Sequence, residues 1–346
     1  MHFHCHNYLV DCLNHTSATT LWIVDETTSK AVLSQIRPRD SLSAITHRFD
    51  IHQYLLNQGL NTALSDYEFR ELDSKIFQRI VFPVAKERAL AHHCINSAFD
   101  LLALNGRLVL LGEKNQGIKT HFKNAEAVFT NTGSIKKHGN CYVAELEKYT
   151  EKSGPPLDSK HYDELRKIHT DTLDFLSKPG IFGWDKVDQG SALLVNELCN
   201  LIDEGFQTSG SMLDLGCGYG YLLLMTKDLA FSRRVATDNN TAAVNAARAN
   251  CQQQQLQAEI TLDNAGMQLR EKFDLILCNP PFHRGFTVDG DLTTLFLTQC
   301  RRLLSKKGTV LMVVNQFIPL EKLAVEYFED IAVLSQQQGF KVVSLS

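Results

Sequence analysis

Short apolar runs separated by longer amphipathic stretches set the rhythm of the C-terminal half. Ser211-Met212-Leu213-Asp214-Leu215 reads as a strand running into glycines, Arg234-Val235-Ala236-Thr237 as a second strand, and Thr241 to Cys251 as an alanine-rich helix. Phe273 to Cys278 is a further buried strand, stopped by Pro280-Pro281. A helix from Leu292 to Leu304 follows, and Lys306-Lys307-Gly308 turns into a strand over Thr309 to Val314. Ahead of all this, Asp188-Gln189-Gly190-Ser191 opens a helix that runs to Ile202. Residues 331–334 and 341–345 read as an antiparallel pair closing the sheet. Strands alternating with helices mean a doubly wound, mostly parallel sheet, an α/β fold.

The N-terminal half repeats part of this rhythm. Phe77 to Pro83 mirrors the Phe273 strand, a helix spans Ala85 to Leu104, and Asn105-Gly106-Arg107-Leu108-Val109-Leu110-Leu111 mirrors Lys307 to Val313. Leu21-Trp22-Ile23-Val24-Asp25 stands where a first strand belongs, yet no glycines follow it. The chain reads as two tandem Rossmann-like domains, the first a degenerate copy without its cofactor loop. Glu151-Lys152-Ser153-Gly154-Pro155-Pro156 breaks periodicity and reads as the connection. The expected domains are residues 1–155 and 156–346.

Composition agrees with two globular domains: 346 residues, 44% hydrophobic and 21% charged. A net charge of −4 argues against indiscriminate coating of nucleic acid, which runs on phosphate neutralisation. It leaves room for a local basic patch, with Lys136-Lys137, Arg233-Arg234, Arg301-Arg302 and Lys306-Lys307 as candidates. The nine cysteines are scattered without a Cys-x-x-Cys pair, which fits reduced thiols in a cytosolic protein. His4-Cys5-His6 lacks a second ligand pair at zinc spacing, so no metal is expected. Neither a signal peptide nor a membrane-length apolar segment is visible, and the expectation is a cytoplasmic protein without a membrane partner.

Asp214-Leu215-Gly216-Cys217-Gly218-Tyr219-Gly220 joins the first C-terminal strand to its helix. A dinucleotide loop wants Gly-x-Gly-x-x-Gly, and Tyr221 occupies the place of its last glycine. The acid Asp214 beside the loop repels phosphate and suits an ammonium group. S-adenosylmethionine carries an ammonium and no phosphate. Asp238 ends the next strand at the distance where a carboxylate grips ribose hydroxyls, and Asp263-Asn264 follows with a polar group for an adenine amine. The alternative for the two acids is capping of helices or turns.

Cys278-Asn279-Pro280-Pro281-Phe282-His283 follows a buried strand. The amine of a nucleobase is a poor nucleophile because its lone pair is delocalised into the ring. The Asn279 side-chain carbonyl and the Pro280 carbonyl can each accept one of its hydrogens and hold the lone pair towards a methyl donor. Phe282 can stack on the base. Positioning supplies the acceleration, with neither metal nor covalent intermediate. Cys217 and Cys278 read as structural cysteines rather than nucleophiles.

The loop Asp214-Leu215-Gly216-Cys217-Gly218 together with Asn279-Pro280-Pro281-Phe282 resembles the signature pair of class I amino-methyltransferases. Gly180-Ile181-Phe182, Asp188-Gln189-Gly190-Ser191-Ala192-Leu193-Leu194 and Asn315-Gln316-Phe317-Ile318-Pro319 extend the likeness to bacterial ribosomal RNA guanine-N2 methyltransferases, the small-subunit methyltransferase C type. The resemblance is motif-specific over residues 180 to 340 and rests on pattern alone over 20 to 150. It implies Asp214, Gly216 and Gly218 at the methionine end of S-adenosylmethionine, Asp238 at the ribose, Asn264 at the adenine, and Asn279, Pro280 and Phe282 around the target amine. Asn264 departs from the acid that many methyltransferases carry there. The implied substrate is guanine N2 of 16S ribosomal RNA within an assembled small subunit, with the enzyme a monomer. Open alternatives are a large-subunit guanine-N2 methyltransferase, glutamine or DNA adenine methyltransferases, an RNA-binding assembly factor without chemistry, and a nicotinamide oxidoreductase.

Overall fold

Fully apolar strands can only lie between two covering layers, and both halves of the chain are built on such strands. The structure, a computed structural model, describes residues 3–73, 75–171, 173–281, 283–284, 287–288 and 290–346. It divides into two compact units, residues 1–164 and 165–346.

In the first unit the strands are β1 (Thr20–Val24), β2 (Leu42–Thr46), β3 (Asn61–Leu64), β4 (Phe77–Pro83), β5 (Leu102–Glu113), β6 (Ser134–His138) and β7 (Cys141–Glu147). The helices are α1 (Phe3–Asn14), α2 (Lys30–Leu33), α3 (Phe49–Asn57), α4 (Arg88–Leu101) and α5 (Ile118–Phe129). The strands form one sheet in the order β3-β2-β1-β4-β5-β7-β6. Pairing is parallel from β3 to β5 and antiparallel across β5, β7 and β6. Alternate residues of the central strands feed two cores. Leu21 and Ile23 face the layer of α4 and α5, whereas Trp22 and Val24 face Leu9 and Leu13 of α1.

The second unit contains β8 (Arg166–Ile168) and β9 (Phe175–Ser177), then β10 (Ser211–Leu215), β11 (Arg233–Asp238), β12 (Glu259–Leu262) and β13 (Phe273–Cys278). Next come β14 (His283–Arg284), β15 (Thr287–Val288), β16 (Leu304–Asn315), β17 (Ile331–Gln337) and β18 (Phe340–Leu345). Its helices are α6 (Gln189–Asp203), α7 (Tyr221–Met225), α8 (Thr241–Gln253), α9 (Gly290–Leu303) and α10 (Leu320–Ala324). The main sheet runs β12-β11-β10-β13-β16-β18-β17, the same path as in the first unit. The duplication expected from the repeated rhythm is therefore present strand for strand. Even the irregularity recurs: the register slips between Phe77 and Arg79 in one sheet and between Phe273 and Leu275 in the other. That slip absorbs Lys306-Lys307-Gly308, so β16 starts before the expected turn rather than after it.

One expectation is overturned. The scattered cysteines read as reduced thiols, but Cys5 and Cys141 form a disulfide, with Cα atoms 5.1 Å apart. The pair is 136 residues apart in sequence, so no local spacing could announce it. Packing of α1 against the sheet brings the two together. The bond also uses Cys5, the central residue of the His-Cys-His patch, and no metal-binding cluster is found among the described residues. Nor does any described helix have the length and apolarity to cross a membrane.

Residues 157–162 pack on the first unit. Asn96 of α4 bonds the Leu157 backbone through both amide atoms at 2.9 Å, and His92 donates to the Asp158 carbonyl at 2.8 Å. Just beyond β7, Lys148 is only 1% exposed. Its ammonium donates to the carbonyls of Phe99 (2.8 Å) and Leu102 (2.9 Å) and lies 4.6 Å from the Phe99 ring centre. A cation thereby closes the C-terminus of α4, where carbonyls lack helical partners and the dipole is negative. Lys148→Met keeps the stem but strands two buried carbonyls. We expect it to destabilise the full chain by about 1–3 kcal/mol. Urea unfolding followed by circular dichroism measures this, and an unchanged midpoint would contradict the capping role.

Candidate active site

Strand register brings the expected site residues to one edge of the second sheet. Asp214 pairs with Ala236 on one side and Leu277 on the other, and Asp238 pairs with Leu262. The glycine loop, Asp238, Asp263-Asn264 and Asn279 therefore leave the carboxyl ends of four adjacent strands. This is where doubly wound sheets bind ligands.

The loop after β10 turns through left-handed backbone at Gly216 (φ 87°) and Gly218 (φ 54°), conformations open to glycine at little cost. Its N–H groups are already engaged. Those of Gly216 and Cys217 both donate to the Thr237 carbonyl at 2.9 Å, that of Gly218 to Asp238 Oδ2 at 2.8 Å, and that of Gly220 to the Cys217 carbonyl at 2.8 Å. A phosphate needs such donors and would find these four taken. A side chain at Gly218 would meet nothing within 4 Å, so the space over its backbone is open to a ligand.

The electrostatics point the same way. Asp214 is fully buried. Burial pushes its pKa up to about 8 and repulsion from Asp238 adds to this, with no hydrogen bond to either carboxyl oxygen among the described residues. Asp238 is half-buried and also accepts the Asn240 N–H at 2.9 Å. Asp263 is 1% exposed and turned inward, with Oδ2 accepting the Gln268 N–H at 2.9 Å. Its neighbour Asn264 is half-buried at the surface, where its Oδ1 accepts from Asn239 at 3.2 Å. Of the two residues, Asn264 is the one a ligand in this cleft can reach.

Asn279 leaves β13 with Pro280 buried behind it. Its Nδ2 donates to Asp188 Oδ2 at 2.8 Å and to Ser191 Oγ at 2.7 Å. An ionised carboxylate accepts only, so it fixes which end of the amide faces it. The carbonyl oxygen of Asn279 is thereby turned away from Asp188 and left to accept. Asp188 Oδ2 also takes the Ser191 N–H at 2.8 Å and so caps α6. Between them, Gly190 is tightly packed: a Cβ there would stand 3.1 Å from Asp188 Oδ2 and 3.0 Å from the Phe340 ring, so a neighbour would have to give.

In the sequence Asp188 and Ser191 read as a helix start and as part of the family motif, with no partner for either side chain implied. The signal was present in the spacing of Asp188-Gln189-Gly190-Ser191, but what their side chains hold becomes visible only in three dimensions. Asn250 was missed as well. From α8 its buried amide bonds the Leu176 backbone at 2.6 and 2.8 Å and the Tyr219 carbonyl at 2.8 Å, tying β9 to the glycine loop. Phe175 stacks on Tyr219 in the same place, 4.1 Å between ring centres.

Burial pushes the Cys217 and Cys278 thiols well above their ordinary range, so neither supplies a thiolate. Two candidate basic pairs are largely committed within the unit. Arg233 bridges Glu259 and Glu271, Arg234 donates to the carbonyls of Phe231, Thr226, Lys227 and Leu229, and Arg302 to those of Leu269 and Gly266. Lys136-Lys137 and Lys306-Lys307 are exposed. Phe282, expected to stack on the base, lies outside the described residues.

The same register identifies the counterparts in the first unit. Leu21 pairs with Ile80 as Leu213 pairs with Ile276 across the neighbouring strand. Trp22 then stands at the place of Asp214, Val24 at that of Gly216, Thr46 at that of Asp238 and Pro83 at that of Asn279. An indole filling the core replaces the buried acid, and a proline without a side-chain amide replaces the asparagine.

Known proteins of similar sequence and fold include ribosomal RNA methyltransferases. The chain is 29% identical over 245 residues to the ribosomal RNA small subunit methyltransferase C of Haemophilus influenzae (strain PittGG), covering 70% of this chain and 71% of that protein. The enzyme of the same name from Shewanella pealeana is 26% identical over 305 residues, 85% of each chain. A T. thermophilus 16S rRNA N2 methyltransferase, solved in complex with AdoMet and guanosine, superposes with a TM-score of 0.82 at 23% identity, covering 99% of this chain and 91% of that one; this likeness shows the fold. The sequence profile of the methyltransferase small domain matches residues 172–344, half of the chain and nearly all of the second unit. By that match the chain belongs to the methyltransferase small domain family.

Proposed function

We propose that the second unit transfers a methyl group from S-adenosylmethionine to the exocyclic N2 amine of a guanine in 16S ribosomal RNA. The observation that carries this reading is the orientation of the Asn279 amide. The named relatives support the substrate, since they are small-subunit ribosomal RNA methyltransferases and one structural neighbour was solved with guanosine. The assembled small subunit is the substrate form we infer, acted on by a monomer in the cytoplasm.

The residues present fit S-adenosylmethionine. With four loop N–H groups consumed and Asp238 beside the loop, the pocket favours a cation over a phosphate. That distinguishes it from a nicotinamide site. Gly216 and Gly218 would lie against the methionine end, Asp238 against the ribose and Asn264 against the adenine. Asp214, buried beneath the loop, keeps its proton until pH approaches 8 and is drawn towards its ionised form when the cation is bound. When bound, the cofactor supplies a methyl group on a positively charged sulfur.

The chain's own contribution is orientation. Asn279 Oδ1 accepts one hydrogen of the guanine amine, and the Pro280 carbonyl takes the second. Two such bonds turn the lone pair out of conjugation and aim it at the methyl. Asp188 and Ser191 hold the Asn279 amide so that it cannot flip, which removes a reorganisation cost at the moment of reaction. The proton released after transfer passes to solvent.

Asn279→Ala should lower the single-turnover rate on small ribosomal subunits by about 10²-fold, the scale for one preorganised group. Filter binding of the same subunits should hardly change, because phosphate contacts dominate affinity. Near-normal turnover in Asn279→Ala would refute the orienting role and favour a binding protein without chemistry.

Asp214 generates a pH dependence. Its folded pKa, about 8, lies above the ordinary 3.8, so the folded protein holds this proton more tightly than the unfolded chain. The stability it contributes is complete below about pH 4 and is lost as pH rises towards 8. A bound cation favours the ionised form, so S-adenosylmethionine affinity should rise across the upper part of that window. Asp214→Asn should flatten both trends and stabilise the ligand-free protein at pH 8 by on the order of a few kcal/mol. Urea unfolding and calorimetric titration between pH 5 and 8.5 test this. Identical pH profiles for the wild type and Asp214→Asn would contradict it.

A further inference from the structure

Phe317 is 84% exposed, the most exposed large apolar side chain among the described residues. It does not sit on a loose segment. Asn315 Oδ1 accepts the Phe317 N–H at 3.1 Å, the Ile318 N–H donates to the Asn315 carbonyl at 3.0 Å, and the Gln316 N–H donates to the Gly339 carbonyl at 2.9 Å. Ile318 and Leu320, immediately after it, are 5% and 0% exposed and anchor the turn in the core. The backbone is thus fixed in a form that holds an aromatic ring in water, at a cost that a polar residue would avoid.

The turn stands on the scaffold that positions Asn279. β13 and β16 are neighbours, with Cys278 opposite Met312, so Asn279 and the Asn315 turn leave the sheet at the same edge. Asn315 pairs with Phe340, and the Phe340 ring abuts Gly190 between the two residues that hold the Asn279 amide. Several amide side chains stand near the turn. Gln336 reaches Gln316 at 3.5 Å, Gln337 and Gln338 are exposed beside them, and the nearby ammonium of Lys341 is committed to Glu321. An uncharged ring rimmed by amides suits the face and edges of a nucleobase better than a phosphate.

We propose that Phe317 is a stacking platform for an unstacked nucleobase of the RNA that flanks the target guanine. This deepens the function proposed above and rests on it. Enzymes acting on base atoms take the target out of its stack, which exposes the faces of its neighbours. An aromatic ring fixed at the rim recovers that lost stacking, with little regard to base identity. Because Phe317 would touch a neighbouring base and not the reacting amine, it stabilises bound substrate and transition state alike and governs KM rather than kcat.

The test uses the full chain and its variants Phe317→Ala, Phe317→Leu and Phe317→Trp, each first shown to bind S-adenosylmethionine like the wild type. The first probe is a single-stranded oligoribonucleotide carrying 2-aminopurine beside a guanine, whose fluorescence falls on stacking. The wild type and Phe317→Trp should quench it. Phe317→Ala and Phe317→Leu should not, with affinity lower by roughly 5- to 150-fold in Phe317→Ala. In the second arm, Phe317→Ala should raise KM for small ribosomal subunits by a similar factor at nearly constant kcat, and leave methylation of free guanosine unchanged. Full activity of Phe317→Leu would overturn the proposal in favour of an apolar protein contact. So would unchanged binding in Phe317→Ala, or an equal loss on free guanosine. If the wild type methylates no RNA, the function proposed above fails, while the oligonucleotide arm still decides whether Phe317 stacks on bases.

Discussion

One carboxylate, Asp188, does two jobs at the head of α6. Its Oδ2 caps the helix through the Ser191 N–H and receives one Nδ2 hydrogen of Asn279, both at 2.8 Å. Each role constrains the other. The cap places Asp188 relative to the helix, and α6 is set against β18 through the contact of Gly190 with Phe340. Asn279 is placed by β13. The amide is therefore gripped between two independently anchored elements, and its carbonyl is left as the free end. In the role proposed for it, accepting a hydrogen from a weak nucleophile, such a side chain gains from being unable to turn over. Charge-assisted bonds of this kind are about twice as strong as neutral ones.

The two units show how much of such a site lies outside the fold itself. They share strand order, a register slip at the same point, and antiparallel closing strands. What differs is a handful of residues at strand ends. Trp22 fills with hydrocarbon the place where Asp214 sits as a buried acid, and Pro83 cannot present the amide that Asn279 presents. Glycines at 216 and 218 allow a backbone excursion for which the first unit has Val24 and Glu26. A sheet of this topology survives those changes because its stability resides in the two apolar layers, while chemistry resides at its edge.

Much of this was legible in the sequence. Apolar runs such as Phe273 to Cys278 were found to the residue, because a buried parallel strand ended by Pro280-Pro281 leaves little latitude. The strand-end polar groups were found because their spacing follows from strand and helix lengths. What escaped were contacts between residues distant in the chain. Asp188 meets Asn279 across 91 positions, Asn250 meets Leu176 across 74, and Cys5 meets Cys141 across 136. Local pattern marks Asp188 as a helix start but does not name the distant partner in any of these pairs. The inward turn of Asp263 beside an outward Asn264 was equally hidden, since it depends on the turn after β12 rather than on composition.

On the function proposed here, methyl transfer is confined to an exocyclic amine of guanine and reaches nothing else in the RNA. The most direct measurement is to incubate the full chain with methyl-labelled S-adenosylmethionine and unmethylated small ribosomal subunits, digest the 16S RNA to nucleosides, and identify the labelled product by mass spectrometry. The account predicts a single labelled species, N2-methylguanosine, approaching one per subunit. Label on another base, on a ring nitrogen or ribose, or on subunit protein would contradict it.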